Sequence, residues 1–136
     1  MGFEGVALTE GDLLFEGASG PPWGLSCSVV RVGGDTVCRL HGGDWHVGAV
    51  ALAQWRESGP LIECLVVGPH KERAIAEHAA DTLCRATRRP VVCIAGIHFD
   101  GISKDDIAVI SRDAHRLAER AARHLTSGPP PGAAIP

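Results

Sequence analysis

Tyrosine is missing altogether, and three Trp and three Phe supply all the aromatics, only 4% of the chain. Single-stranded nucleic acid is held largely on stacked aromatic platforms, so this scarcity argues against such a surface. Charge argues the same way. The formal net charge is -3, and the basic residues cluster only in the short "RATRR" of residues 85–89, too little to track a phosphate backbone. Long apolar runs are missing too: "VGAVALA" (47–53) falls far short of the roughly 20 residues that span a bilayer. No C-x-x-C pair occurs among the five cysteines at 27, 38, 64, 84 and 93. Their odd count, and the place of Cys27, Cys64 and Cys93 in apolar runs, suit small buried hydrophobes in a reducing compartment. The opening "MGFEGVALTEGD" has neither the charged n-region nor the apolar h-region of a signal peptide, so the expected location is the cytoplasm. P-loop, G-x-G-x-x-G, G-x-S-x-G and H-E-x-x-H motifs are also absent. With them go the local signatures of a phosphate cradle, a hydrolase nucleophile and a helical zinc pair.

What is present is ordinary globular material: 136 residues, 45% hydrophobic and 21% charged, enough for one domain with a core of its own. Strands are expected at 12–19, 24–32, 36–40, 46–54 and 61–67, separated by Gly/Asp-rich turns such as "GGD" and "HGGDW". The period then changes. In "HKERAIAEHAADTLCRATRR" (70–89), Ile75, Ala79 and Leu83 recur at i, i+4, i+8, which predicts an amphipathic helix stopped at Pro90. A sixth strand follows at 91–97. A second helix opens at Ser103, with Asp106 placed to complete a capping box and Ile107, Ile110, Ala114, Leu117, Ala118, Ala121 and Leu125 on its inner side. The predicted fold is α+β: a mostly antiparallel six-stranded sheet with two helices on one face, in the order β-β-β-β-β-α-β-α. Residues 1–11 form an N-terminal segment, 12–125 the domain, and 126–136 a Pro/Gly-rich tail expected to be disordered. If the sheet face away from the helices is apolar, a second copy of the chain is expected to cover it.

Topology brings the polar residues together. A hairpin centred near residue 57 places His46 beside Gly68. A crossover from strand five to strand six is normally parallel, so the end of strand six lies on that same edge. Three segments meet there, "DWHVG" (44–48), "GPHKE" (68–72) and "GIHFDGIS" (96–103), each with one histidine. Two of them lead into helix N-termini, where backbone N–H groups favour an anion, and Lys71 adds a positive charge. His46, Gly48, His70, Lys71, Glu72, His98, Asp100 and Ser103 are the candidate site residues; none is assigned a catalytic role.

Plainer readings stand beside these. His78, His115 and His124 read as helix-surface residues, and His41 as a turn residue. Asp100, followed by Gly101, serves equally as an Asx-turn former. Glu72 suits a helix N-terminus whether or not a ligand is near, and Trp45 is either an interface residue or a wall for a flat ligand. His46, His70 and His98 also form a candidate metal set, as in a metal-dependent hydrolase or lyase, although their spacing lends that little support. A chaperone acting only through protein surfaces is the third reading.

"HVGAVALA", "GPHKERAIAEHAADTL" and "VVCIAGIHFDGISKDDIAVI" resemble the prenylated-flavin chaperone domain of the LpdD-like family over residues 12–125. The resemblance implies a fold similar to proteasome assembly chaperones, a homodimer, and a non-catalytic role. It implies binding of reduced prenylated FMN (prFMN) and delivery to a UbiD-type decarboxylase, with no nucleic-acid or membrane partner. On matching positions it carries over His46, Gly48, His70, Lys71, Glu72, His98, Asp100 and Ser103 as residues of the ligand edge.

Overall fold

The structure is a computed structural model that describes residues 12–69 and 71–126. The N-terminal segment 1–11, His70 and the tail from residue 127 lie outside the described residues. Six strands, β1 (Leu13–Ala18), β2 (Ser26–Val32), β3 (Asp35–Gly43), β4 (Ala49–Arg56), β5 (Gly59–Val66) and β6 (Val91–His98), join two helices, α1 (Arg73–Thr87) and α2 (Lys104–Thr126), in the expected chain order. Thr126 closes α2 rather than opening the tail. No helix among the described residues is long and apolar enough to cross a membrane.

The sheet order is β1-β2-β3-β6-β4-β5. It is mixed: β6 pairs parallel with β3 and antiparallel with β4, and the other neighbours are antiparallel. The expected mostly antiparallel sheet is thus a mixed one, with a single parallel pairing. The run Val91–Ile97 is apolar at nearly every position, as a strand buried in mid-sheet requires, and it inserts between β3 and β4 instead of adding at an edge. Insertion also lengthens β3. The "HGG" of 41–43, expected as a turn, continues the ladder, with His41, Gly42 and Gly43 opposite Gly96, Ile97 and His98.

Side-chain alternation then sorts the faces. Cys27 and Val29 of β2, Cys38 and Leu40 of β3, Ala49, Ala51 and Ala53 of β4, and Val91, Cys93 and Ala95 of β6 are buried beneath the helices. The alanines of β4 let α1 sit close, and α1 answers with Ile75, Ala76, Ala79, Ala80, Leu83 and Cys84. The second helix buries Ile110, Ala114, Leu117, Ala118, Ala121 and Ala122 against α1, β1 and β2. Ile107, expected on this inner face, is instead 49% exposed. On the opposite sheet face, Val37 lies beside Val92 and Val92 beside Leu52; one row on, Ile94 lies beside Val50 and Val50 beside Leu65. That face is apolar at its centre, and Leu65 is 80% exposed.

Candidate functional site

The carboxyl ends of β3 and β6, the lead into β4 and the start of α1 meet at one sheet edge. The hairpin between β4 and β5 turns on Glu57 and Ser58, with Glu57 at positive φ and Arg56 paired to Gly59. Ala49 pairs with Val66, and Val67 N–H donates to Gly48 O. The register is therefore one residue away from the expected His46–Gly68 pairing, and His46 precedes the strand instead of starting it.

Glu72 ties the edge together. It is 5% exposed. Its Oε1 accepts a hydrogen bond from Ile97 N–H at 3.3 Å and lies 3.2 Å from His46 Nε2. His46 Nδ1 is 2.9 Å from Asp44 O. One carboxylate thus links the start of α1, the end of β6 and the loop before β4. Two glycines make room for it. A Cβ on Gly48 would overlap the Glu72 carboxylate, and one on Gly96 would overlap the His46 carbonyl. Gly48 and Glu72, expected along the ligand edge, therefore form its buried foundation.

His98 lies above this foundation. Its ring centroid is 6.4 Å from that of His46, nearly perpendicular at 79°, and its Nε2 is 2.9 Å from Asp100 Oδ1. Asp100 is itself exposed, in a turn completed by Gly101 at φ +65. Of the three histidines expected to converge, the structure thus brings His46 and His98 together, and His70 lies outside the described residues. Ser103 is engaged elsewhere. Its Oγ accepts from Asp106 N–H at 3.1 Å while Asp106 Oδ2 accepts from Ser103 N–H at 3.0 Å, the reciprocal capping box read from the sequence.

The two helix starts differ. The first turn of α2 contains Asp105 and Asp106, which with the capping box disfavours a bound anion there. The first turn of α1 contains no acidic residue, and Glu72 at its N-cap makes no side-chain cap hydrogen bond, its carboxylate being turned to His46 and Ile97. Lys71 adjoins that start. Of the two helix first turns, that of α1 is therefore the less acidic.

Between the helix starts lies a cleft of about 290 Å³. Its apolar wall is Ile75, Ile97, Phe99, Ile102, Ile107 and Ile110, and Lys71, Glu72 and His98 stand at its polar side. Small-molecule pockets commonly run from about 300 Å³ upward, so the cleft suits a ring system but not a whole nucleotide. Sequence reasoning missed this wall. Its signal was the apolar residues flanking the histidine in "GIHFDGI", which looked like the end of a strand. Trp23 packs on Phe99, ring centroids 5.0 Å apart, and fixes that wall from behind.

Three other histidines depart from expectation. His41 is buried and stacks on the exposed Trp45, centroids 4.6 Å apart. Burial, with the nearby Arg39 charge, pushes its pKa down. His78 and His115 stack at 4.1 Å between the helices, and burial followed by the neighbouring His78 lowers the His115 pKa. Hydrogen bonding to Cys38, then burial, raises the Cys27 pKa far above the ordinary thiol range, which disfavours its thiolate.

With this geometry in view, comparison with known families is decisive. The family model described as "prenylated flavin chaperone LpdD-like domain" matches residues 20–126. The chain belongs to that family. The match spans every strand except β1, the whole of the cleft and both helices. The LpdD-like family is one of prenylated flavin chaperones, which supports a chaperone, non-enzymatic role for this chain. No curated protein matches the chain.

Proposed function

We propose that this LpdD-like chain is a carrier that holds reduced prenylated FMN at the edge between α1 and α2 and delivers it to a UbiD-type decarboxylase, where the cofactor matures. The observation that carries this reading is the apolar cleft beside Lys71 and the first turn of α1, which holds no acidic residue. A prenylated flavin joins a large flat apolar ring to a phosphate dianion. The isoleucine and phenylalanine wall suits the ring. The N–H groups of the first turn of α1, with Lys71, suit the phosphate. His98 borders the cleft, within reach of polar ring atoms. The cleft is open and small, so affinity is moderate, as a carrier that must release its cargo requires. Ser103 supports the site through α2, and Asp100 through His98. A cytoplasmic setting fits both the free thiols and such a client.

The working unit in this proposal is a homodimer. The apolar rows of the open sheet face are self-complementary in composition, and the family resemblance implies two copies in a proteasome assembly chaperone-like arrangement.

The test is anaerobic dialysis against reduced prenylated FMN, followed by mixing of the loaded protein with an apo-decarboxylase of the UbiD type. We expect retention of the prenylated flavin and faster recovery of decarboxylase activity than free cofactor gives. Failure to retain either reduced prenylated FMN or FMN would end the proposal. A Lys71→Ala variant should bind about tenfold more weakly, the loss of one charge-assisted phosphate contact; unchanged affinity would remove Lys71 from the site.

A further inference from the structure

The loops after β3 and β6 assemble a compact donor set beside the cleft. Asp44, His98 and Asp100 each present one ligating atom, and these three atoms lie within 4.8 Å of one another. Two donors about 2.1 Å from an ion at adjacent octahedral positions stand roughly 3.0 Å apart. His98 Nε2 and Asp100 Oδ1, now hydrogen-bonded at 2.9 Å, would exchange that contact for two bonds to the ion. The main chain pre-sets the third donor: Asp44 N–H donates to His98 O at 3.0 Å, so the two donor-bearing loops are tied together. Gly43, at φ +66, permits this tie, since a Cβ there would overlap the His98 carbonyl. Among the described residues no lysine or arginine forms an ion pair with Asp44, His98 or Asp100. Two carboxylates and one imidazole therefore stand together as a compact donor set.

We propose that Asp44, His98 and Asp100 form a binding site for one divalent transition cation. One imidazole and two carboxylates suit ions of the manganese, iron or zinc type, whereas magnesium and calcium prefer all-oxygen sets. Three protein donors leave positions open for water or for an oxygen of a bound ligand. His98 also borders the cleft, so the ion stands at the cleft mouth and links to an anionic or carbonyl oxygen of the cargo. This last link rests on the flavin reading; the site itself does not. It differs from the all-histidine set expected from sequence, because His46 Nε2 is directed to the Glu72 carboxylate.

The test is titration of metal-free, flavin-free protein with MnCl₂, followed by calorimetry and by the loss of the free-ion paramagnetic resonance signal. We expect one Mn²⁺ per chain. Asp100→Asn and Asp44→Asn should each weaken it at least tenfold, while Arg116→Ala, on the outer side of α2, leaves it unchanged. No saturable binding, or equal binding by wild type and both asparagine variants with native circular dichroism, would overturn the site. Reduced prenylated FMN is then titrated with and without Mn²⁺. Metal binding without flavin binding keeps this site and removes the flavin reading. Flavin binding by protein that takes up no metal does the reverse. Binding of both, with flavin affinity independent of Mn²⁺, keeps the site and overturns its link to the cargo.

Discussion

Glu72 illustrates how much of the edge rests on single residues. Its carboxylate lies in the protein interior with Ile97 N–H and His46 as partners, and a buried donor that loses its acceptor costs about 1–3 kcal/mol. Glu72→Ala should therefore lower unfolding free energy by about that amount, read by urea denaturation, while Glu72→Gln, which keeps an acceptor for Ile97 N–H, loses less. Equal losses in the two would show that the acceptor does not matter. Two histidines at least partly enclosed make a second prediction. His41 and His115 have folded pKa values below the ordinary 6.5, both chiefly through burial. Below that value the unfolded chain takes up protons that the folded chain refuses, so the stability present above it falls as pH drops. The denaturation midpoint should be lower at about pH 5.5 than at about pH 7.5, and His115→Asn should reduce the difference. A midpoint that rises on acidification would contradict the assignment. None of these burials was legible in the sequence: His41 and His115 sit in stretches as polar as any surface loop, and only packing against Trp45 and His78 encloses them.

Elements governed by local chemistry were legible; those governed by distant pairing were not. Ser103 and Asp106 announce the start of α2, because a capping box needs only four consecutive residues. Ser103→Ala should cost about 1 kcal/mol, measured by thermal or chemical unfolding, and no measurable loss would indicate that the box adds nothing. The inner face of α1 was equally plain, since Ile75, Ala79 and Leu83 follow the helical period. The hairpin was found but misplaced. Its two-residue turn at Glu57 and Ser58 shifts the register by one, a step that periodicity alone does not fix. The third strand was cut short because "HGG" carries turn chemistry. Only the arrival of β6, far along the chain at Val91–His98, draws His41–Gly43 into the ladder. The apolar wall of the cleft escaped for a related reason: Ile97, Phe99 and Ile102 belong to a strand end and a loop, and Ile107 and Ile110 to a helix, so no single period joins them.

At the scale of the whole molecule, the helices cover one sheet face and leave the other with an apolar centre around Val50, Val92 and Ile94. If two copies meet there as proposed, Val50→Asp or Ile94→Asp should convert a dimer to a monomer in light scattering after gel filtration, with helix content intact. A wild-type protein that is monomeric at high concentration would refute the dimer. The same architecture collects the site, since insertion of β6 between β3 and β4 sets His98 beside Asp44 and above Glu72, while α1 and α2 open the cleft next to it. That gathering at one edge was legible because crossover and hairpin rules constrain which strand ends meet. The central claim is that this cleft holds the prenylated flavin. Its most direct measurement is an anaerobic absorbance titration of reduced prenylated FMN into wild-type protein and into Ile107→Trp, a substitution at a half-exposed position of the cleft wall that fills the cleft without entering the core. The account predicts saturation near one flavin per chain for the wild type and binding weakened at least tenfold in Ile107→Trp. Equal affinity in the two proteins, or no saturation in either, would contradict it.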